Sequence, residues 1–93
     1  MVRAATTKAV VDTQRLARER APVDTGYLRT SIFTREGAQG ATWWGEVEAG
    51  AEYAAYVENG TSTQAPQPYM RPAHEQVRPV FVQMLEQIGG KAL

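Results

Sequence analysis

The residues of this chain whose side chains could do chemistry are few and lie far apart. Glu46 and Glu48 are two residues apart and could be an acid–base pair, because general acid–base catalysis often uses two carboxyl groups. Their sequence neighbours offer no desolvating pocket, so we interpret them as solvated glutamates on a strand edge. Thr30 and Ser31 have no histidine near them to activate a hydroxyl, and His74 is distant in the sequence. We therefore expect no enzymatic activity.

Cofactor and metal sites are not indicated either. The chain has no cysteine and only one histidine, which excludes thiolate sites and clustered imidazole sites. The glycines at 37, 40, 45 and 50 are spread out, and no Gly-Lys-Ser/Thr run marks a phosphate loop. We predict no cofactor, no metal, and an exposed position for His74 near the start of a helix.

Length and charge indicate one small domain, residues 1–93, with a thin core. Leucine, isoleucine, valine and phenylalanine together number only 17 of the 93 residues. A core of this size gains stability when more surface is buried against partner subunits. Ten basic residues balance ten acidic residues, which argues against a dedicated nucleic-acid binder. No apolar run approaches the roughly 20 residues that span a bilayer, so we expect no membrane association and synthesis in a cytoplasm.

Two helices are predicted, one at each end. Residues 3–20 contain no proline or glycine and show an amphipathic, alanine-rich stripe that Pro22 should end. The second helix should start at Pro72 and end at Gly89-Gly90, with a kink at Pro79. Its apolar face comprises Ala73, Val77, Val80, Phe81, Met84, Leu85 and Ile88. We expect this face, Phe81 and Leu85 above all, to be buried.

The middle of the chain alternates with the period of strands. Residues 31–36 and 42–50 are predicted to form a hairpin linked by Gly37–Gly40. Trp44 shares a face with Glu46 and Glu48, and it is either a partly shielded surface residue or an interface anchor. Residues 52–58 could form a short helix or a further strand. Asp24, Thr25 and Gly26 are typical of a turn or helix cap.

Three blocks carry a family resemblance. They are APVDTGYLRTSI at residues 21–32, EYAAYVENGT at 52–61 and APQPYMRPA at 65–73. In this order, with a helix before and a helix after, they resemble a bacteriophage minor tail component family. Its members are the small neck or tail-completion proteins of long-tailed phages. The resemblance implies an α+β fold, with terminal helices packed on a small antiparallel sheet.

The resemblance also implies a structural role in the virion. Similar proteins form a ring in the neck or at the top of the tail and join tail to head. The implied partners are other copies, the head connector, and tail-tube or terminator proteins, with DNA only as cargo through the ring. The implied location is the virion, after synthesis in the host cytoplasm. A tail terminator, a head-closure ring protein and an unrelated small protein-binding module remain alternatives.

The charge pattern suggests how copies could meet. Residues 1–20 carry a net charge of +3 and residues 41–60 a net charge of −4. We predict that Arg15 and Arg18 of one copy face Glu46 and Glu48 of the next, and the alternative is two solvated faces. Trp44 would anchor this contact. Pro66, Pro68 and Tyr69 lie in a loop that proline stiffens, and such a loop loses little entropy on docking with a neighbour.

Overall fold

The computed structural model describes residues 2–22 and 26–92, and it shows the α+β fold that the sequence predicts. Two long helices enclose a hairpin and two short helices. In chain order the elements are α1 (Val2–Arg20), α2 (Tyr27–Thr30), β1 (Ile32–Gln39), β2 (Thr42–Ala49), α3 (Ala54–Asn59) and α4 (Met70–Ala92). Asp24 and Thr25, predicted to form a turn or a helix cap with Gly26, lie outside the described residues.

The first helix and the hairpin agree with prediction, but the turn does not lie where predicted. Strands β1 and β2 pair antiparallel from Ile32 opposite Ala49 to Gln39 opposite Thr42, and Gly37 is inside β1. The loop is therefore Gly40-Ala41, not Gly37–Gly40. Gly40 has a φ of 62°, which suits the first position of a tight two-residue hairpin turn.

The alternative that residues 52–58 form a further strand is wrong. Most of this segment lies in α3, and the sheet in the described part of the chain has two strands. Two strands are marginal in isolation, so helix packing has to stabilise them. Helix α1 supplies it by lying across one face of the hairpin. A side chain at Gly45 of β2 would collide with Val10 of α1, so the missing side chain allows this close approach.

Helix α4 is longer than predicted at both ends. It begins at Met70 rather than Pro72, and it runs through Pro79 and Gly89-Gly90 to Ala92. Glycine lowers helix stability by about 1 kcal/mol per residue without forbidding helical dihedral angles. The predicted end at the glycine pair is therefore wrong.

The core lies where α1, the hairpin, α3 and the start of α4 meet. Its larger members are Leu28, Ile32 and Tyr69, and its other buried members are alanines. The prediction that Phe81 and Leu85 are buried is wrong, since both are only half-buried. The principal packing partner of α4 is α1, and α4 makes no comparable contact with either described strand. Burial on the predicted face is complete only at Ala73 and Val77.

Candidate functional site

An apolar groove lies between α1, β2 and α4. Its volume is about 630 Å³. We call it the groove and define it by Val10 on α1, Trp43 and Trp44 on β2, and Val77, Arg78 and Phe81 on α4. Val10 and Val77 form its floor because both are buried, whereas the aromatic side chains stay partly exposed.

Both tryptophans border the groove, and as neighbours in β2 they lie on opposite faces of the strand. Trp43 is 39% exposed, and the guanidinium carbon of Arg3 lies 5.3 Å from the centroid of its ring, a cation–π contact. Trp44 is 40% exposed, and its indole lies across Gly37 on the neighbouring strand. A Cβ at Gly37 would lie 2.5 Å from Cζ2 of Trp44. The backbone at Gly37 therefore supports the Trp44 indole, whereas the side chain of Arg3 covers the ring of Trp43.

Positive charge borders the groove along α4. Arg71, His74 and Arg78 contribute to its lining, and all three are exposed. Neither arginine forms an ion pair with another residue that the structure describes. The position of His74 on the first turns of α4 agrees with the exposed site predicted for it. The groove thus combines an apolar interior with a cationic edge on α4, and the carboxylate of Glu58 from α3 also contributes to its lining.

A second exposed aromatic surface is built from two short helices. Tyr27 begins α2, Tyr53 precedes α3, and Tyr56 lies on α3. The Tyr27 and Tyr53 rings are 6.3 Å apart at an angle of 49°, and Tyr56 is 62% exposed. Exposed Glu52 precedes Tyr53. We call these four residues the tyrosine surface, and none of them lines the groove.

The four charged residues predicted to join neighbouring copies have partners within their own chain. Arg15 pairs with Glu19 at 3.1 Å on the exposed side of α1. Arg18 donates a hydrogen bond to the backbone carbonyl of Ile32 at 2.9 Å, which ties α1 to β1. An intermolecular contact at these arginines would have to replace those interactions, so that contact stays a prediction.

Arg35 holds the two predicted acidic residues. Its guanidinium donates to Glu46 at 2.9 Å and to Glu48 at 3.1 Å across the hairpin. The hydrogen bond to Glu46, and then the negative charge of Glu48, raise the pKa of Arg35. All three side chains are exposed, so the ion pairs contribute little to stability. Arg35 was not among the predicted site residues, although its place in the opposite strand of the predicted hairpin was the available signal.

The loop that carries Pro66 and Pro68 is exposed, and a backbone hydrogen bond ties it to α3. Pro66 and Pro68 are exposed, and the Gln67 N–H between them donates to the carbonyl of Val57 at 2.8 Å. Tyr69 belongs to the core instead of this surface: its ring is buried, and its hydroxyl donates to the carbonyl of Ala54 at 3.3 Å. A buried side chain offers no surface to a neighbour, so Tyr69 is removed from the predicted interface.

Neither a metal site nor a membrane-spanning helix is seen in the described residues. They contain no cluster of three or more histidine, cysteine, aspartate or glutamate residues that could hold a metal ion. Among the helices described, none combines the length and the hydrophobicity needed to cross a membrane. What the arrangement offers is two aromatic surfaces of the kind that bind other proteins.

Comparison with known proteins gives a family. Residues 1–60, nearly two thirds of the chain, match the family model described as "Bacteriophage HK97-gp10, putative tail-component". No curated protein and no solved structure gives a significant match. The matched region contains α1, the hairpin, α3 and the whole tyrosine surface. The chain belongs to the HK97 gp10-like family of bacteriophage tail components.

Proposed function

We propose that this chain is a tail-completion protein that forms a ring in the neck, at the top of the tail, and joins the tail to the head. Membership of a tail-component family supports a location in the tail, and the exposed aromatic surfaces support repeated contacts between subunits. In this role the protein is structural and has no enzymatic activity. Its partners are further copies, the head connector, and tail-tube or terminator proteins, and DNA passes through the ring as cargo.

The observation that carries this proposal is the distribution of large apolar side chains. Among the described residues, Ile32 is the largest side chain that is fully buried, and six of the eleven buried hydrophobic residues are alanine. The large hydrophobic residues that are exposed are Val2, Val11, Tyr27, Phe33, Trp43, Trp44, Tyr53, Tyr56, Val80 and Val82. Exposed apolar area of this kind marks binding sites for other proteins, and burying it stabilises a thin core.

The charge of the chain fits a ring through which DNA passes without being held. Acidic and basic residues are equal in number, and acidic side chains on the hairpin are paired with Arg35 within the chain. Tight DNA binding would require an excess of cations, because phosphate neutralisation dominates the affinity. A conduit should instead release DNA easily.

Loss of the protein during phage growth tests this role. We expect a phage whose copy of the gene carries an early stop codon to accumulate DNA-filled heads and separate, full-length tails. Adding the purified chain to that lysate should then produce joined, infectious particles. A tail terminator would instead leave tails of irregular length, and a head-closure protein would leave heads that lose DNA. Normal particles without the protein would contradict the proposal.

A further inference from the structure

We infer that neighbouring copies meet by the tyrosine surface of one copy entering the groove of the next. This inference rests on the proposed ring and names the two surfaces that would build it. The occupant of the groove is therefore a second copy of this chain, presenting Tyr53 and Tyr56 on and beside α3.

Ring geometry requires two different surfaces. A closed ring with one subunit type is built from heterologous contacts, in which one patch binds a different patch on the neighbour. The groove is lined mainly by α1, β2 and α4, with Glu58 of α3 as a further lining residue, whereas the tyrosine surface lies on α2 and at the start of α3. They share no residue, so each copy can offer one and fill the other at the same time.

The chemistry of the two surfaces matches. Tyrosine provides a large apolar ring at a low entropy cost and is enriched among the residues that dominate binding energy. Tyr56 projects more of its side chain to solvent than any other large hydrophobic residue among those described. The groove offers an apolar floor at Val10 and Val77 and aromatic walls at Trp43 and Phe81. Aromatic side chains in edge-to-face contact add to the gain from burial.

Charge complementarity selects this occupant. Arg71 and Arg78 give the groove its positive edge, and Glu52 gives the tyrosine surface a negative charge. Among the described residues none of these three forms an ion pair within its own chain. By contrast, Glu46 and Glu48 on the outer face of the hairpin are already paired with Arg35. Each of the two surfaces that we bring together therefore carries charge that no ion pair within the described part of the chain neutralises, and the two signs are opposite.

Two substitutions of exposed aromatic residues test the contact. We expect Tyr56→Ala to raise the dissociation constant of the oligomer at least about tenfold. The measurement is sedimentation velocity of the full chain mixed with purified tails that lack this protein. The thermal transition of the monomer should stay unchanged because the side chain is mostly in solvent. Phe33→Ala is the matched control, since Phe33 is 41% exposed but belongs to neither surface. Its oligomer should persist.

Charge exchange tests the register. Arg78→Glu and Glu52→Arg should each weaken assembly, and the two together should restore part of it. Reversal of the hairpin charges, Glu46→Lys with Glu48→Lys, should leave assembly intact. The contact predicted from the charge pattern alone requires the opposite result, and loss of assembly in that variant would overturn our inference.

Cross-linking gives a direct readout, because the native chain has no cysteine. A Glu52→Cys chain mixed with an Arg78→Cys chain should form an intermolecular disulfide on the tail. Arg15→Cys, on the exposed side of α1, should not cross-link to Glu52→Cys. An oligomer that forms normally with Tyr56→Ala, together with no disulfide between the Glu52→Cys and Arg78→Cys chains, refutes this surface assignment and leaves the proposed function standing. Absence of any oligomer on the tail refutes both.

Discussion

The carboxylate of Glu58 accepts a hydrogen bond from the backbone N–H of Met70 at 2.9 Å and thereby caps α4 from α3. The same carboxylate also accepts from the N–H groups of Tyr69 and Arg71, each at 3.1 Å. The first N–H groups of a helix have no hydrogen-bond partner inside it, and a negative charge near them also interacts favourably with the helix dipole. This contact explains why α4 begins two residues before Pro72.

Removing the cap should destabilise the protein. We expect Glu58→Ala to lower the free energy of unfolding by about 1–3 kcal/mol, because several N–H groups lose a charged acceptor. Glu58→Gln should cost less because it keeps one carbonyl oxygen. Urea denaturation followed by circular dichroism measures both, with exposed Glu52→Ala as the control. Equal stability of Glu58→Ala and Glu52→Ala would show that the cap contributes nothing.

The elements were predictable where local composition dictates them. Residues 3–20 favour a helix by their own propensity, and alternation with glycines predicts a hairpin. The start of α4 was not predictable, because its cap comes from Glu58, more than ten residues earlier in the sequence. The burial of Phe81 was also misjudged. Periodicity identifies an apolar face but does not say whether another element of the same chain covers it.

The close approach of α1 to the sheet should depend on Gly45. Gly45→Ala should cost about 1–3 kcal/mol, since the new methyl group meets Val10 and lies 3.1 Å from Cγ2 of Thr6. Val10→Ala should relieve part of that cost. The double variant should therefore lose less free energy of unfolding than the two single variants lose in total. The test is a double-mutant cycle by thermal unfolding, and simple additivity would contradict the collision.

Ionisation of Tyr69 should link stability to high pH. Burial raises the pKa of this phenol, and the nearby carboxylate of Glu58 and phenol of Tyr53 raise it further. In the unfolded chain a tyrosine ionises near about pH 10, so the unfolded state loses its proton first as pH rises. Stability from this group is therefore complete below about pH 10 and declines as pH rises through the folded pKa.

A tyrosine-to-phenylalanine variant isolates that effect. The loss of stability between about pH 8 and about pH 11 should be smaller in Tyr69→Phe than in the native chain. Tyr56→Phe is the control. Because Tyr56 is exposed, removing its hydroxyl should leave the alkaline loss of stability the same as in the native chain. The same alkaline loss in all three proteins would rule out Tyr69 as its source.

Phe81 should matter more for assembly than for folding. Because the side chain is half-buried, Phe81→Ala should cost less than the roughly 3–5 kcal/mol typical of a fully buried phenylalanine. Ile32→Ala, at a fully buried position, should cost about 2–5 kcal/mol. Chemical denaturation gives these values, and sedimentation of Phe81→Ala with tails should show weakened assembly. A larger folding cost at Phe81 than at Ile32 would contradict the partial burial.

The assembly surfaces were only partly predictable from sequence. Trp44 was singled out because a tryptophan among glutamates needs an explanation, and it does line the groove. The meeting of Tyr27 and Tyr53 was not predicted, because the hairpin separates them in sequence and only the tertiary fold brings them together. Likewise, net segment charge did not reveal that Arg35 neutralises Glu46 and Glu48 locally.

The position of this chain in the intact phage particle tests the central claim most directly. A cryo-electron microscopy reconstruction of the neck should show a closed ring of this fold between the head connector and the end of the tail tube. In that ring, Tyr56 of each copy should lie in the groove of the next. Density for the fold at the distal tip or along the tube, or its absence from the particle, would contradict the account.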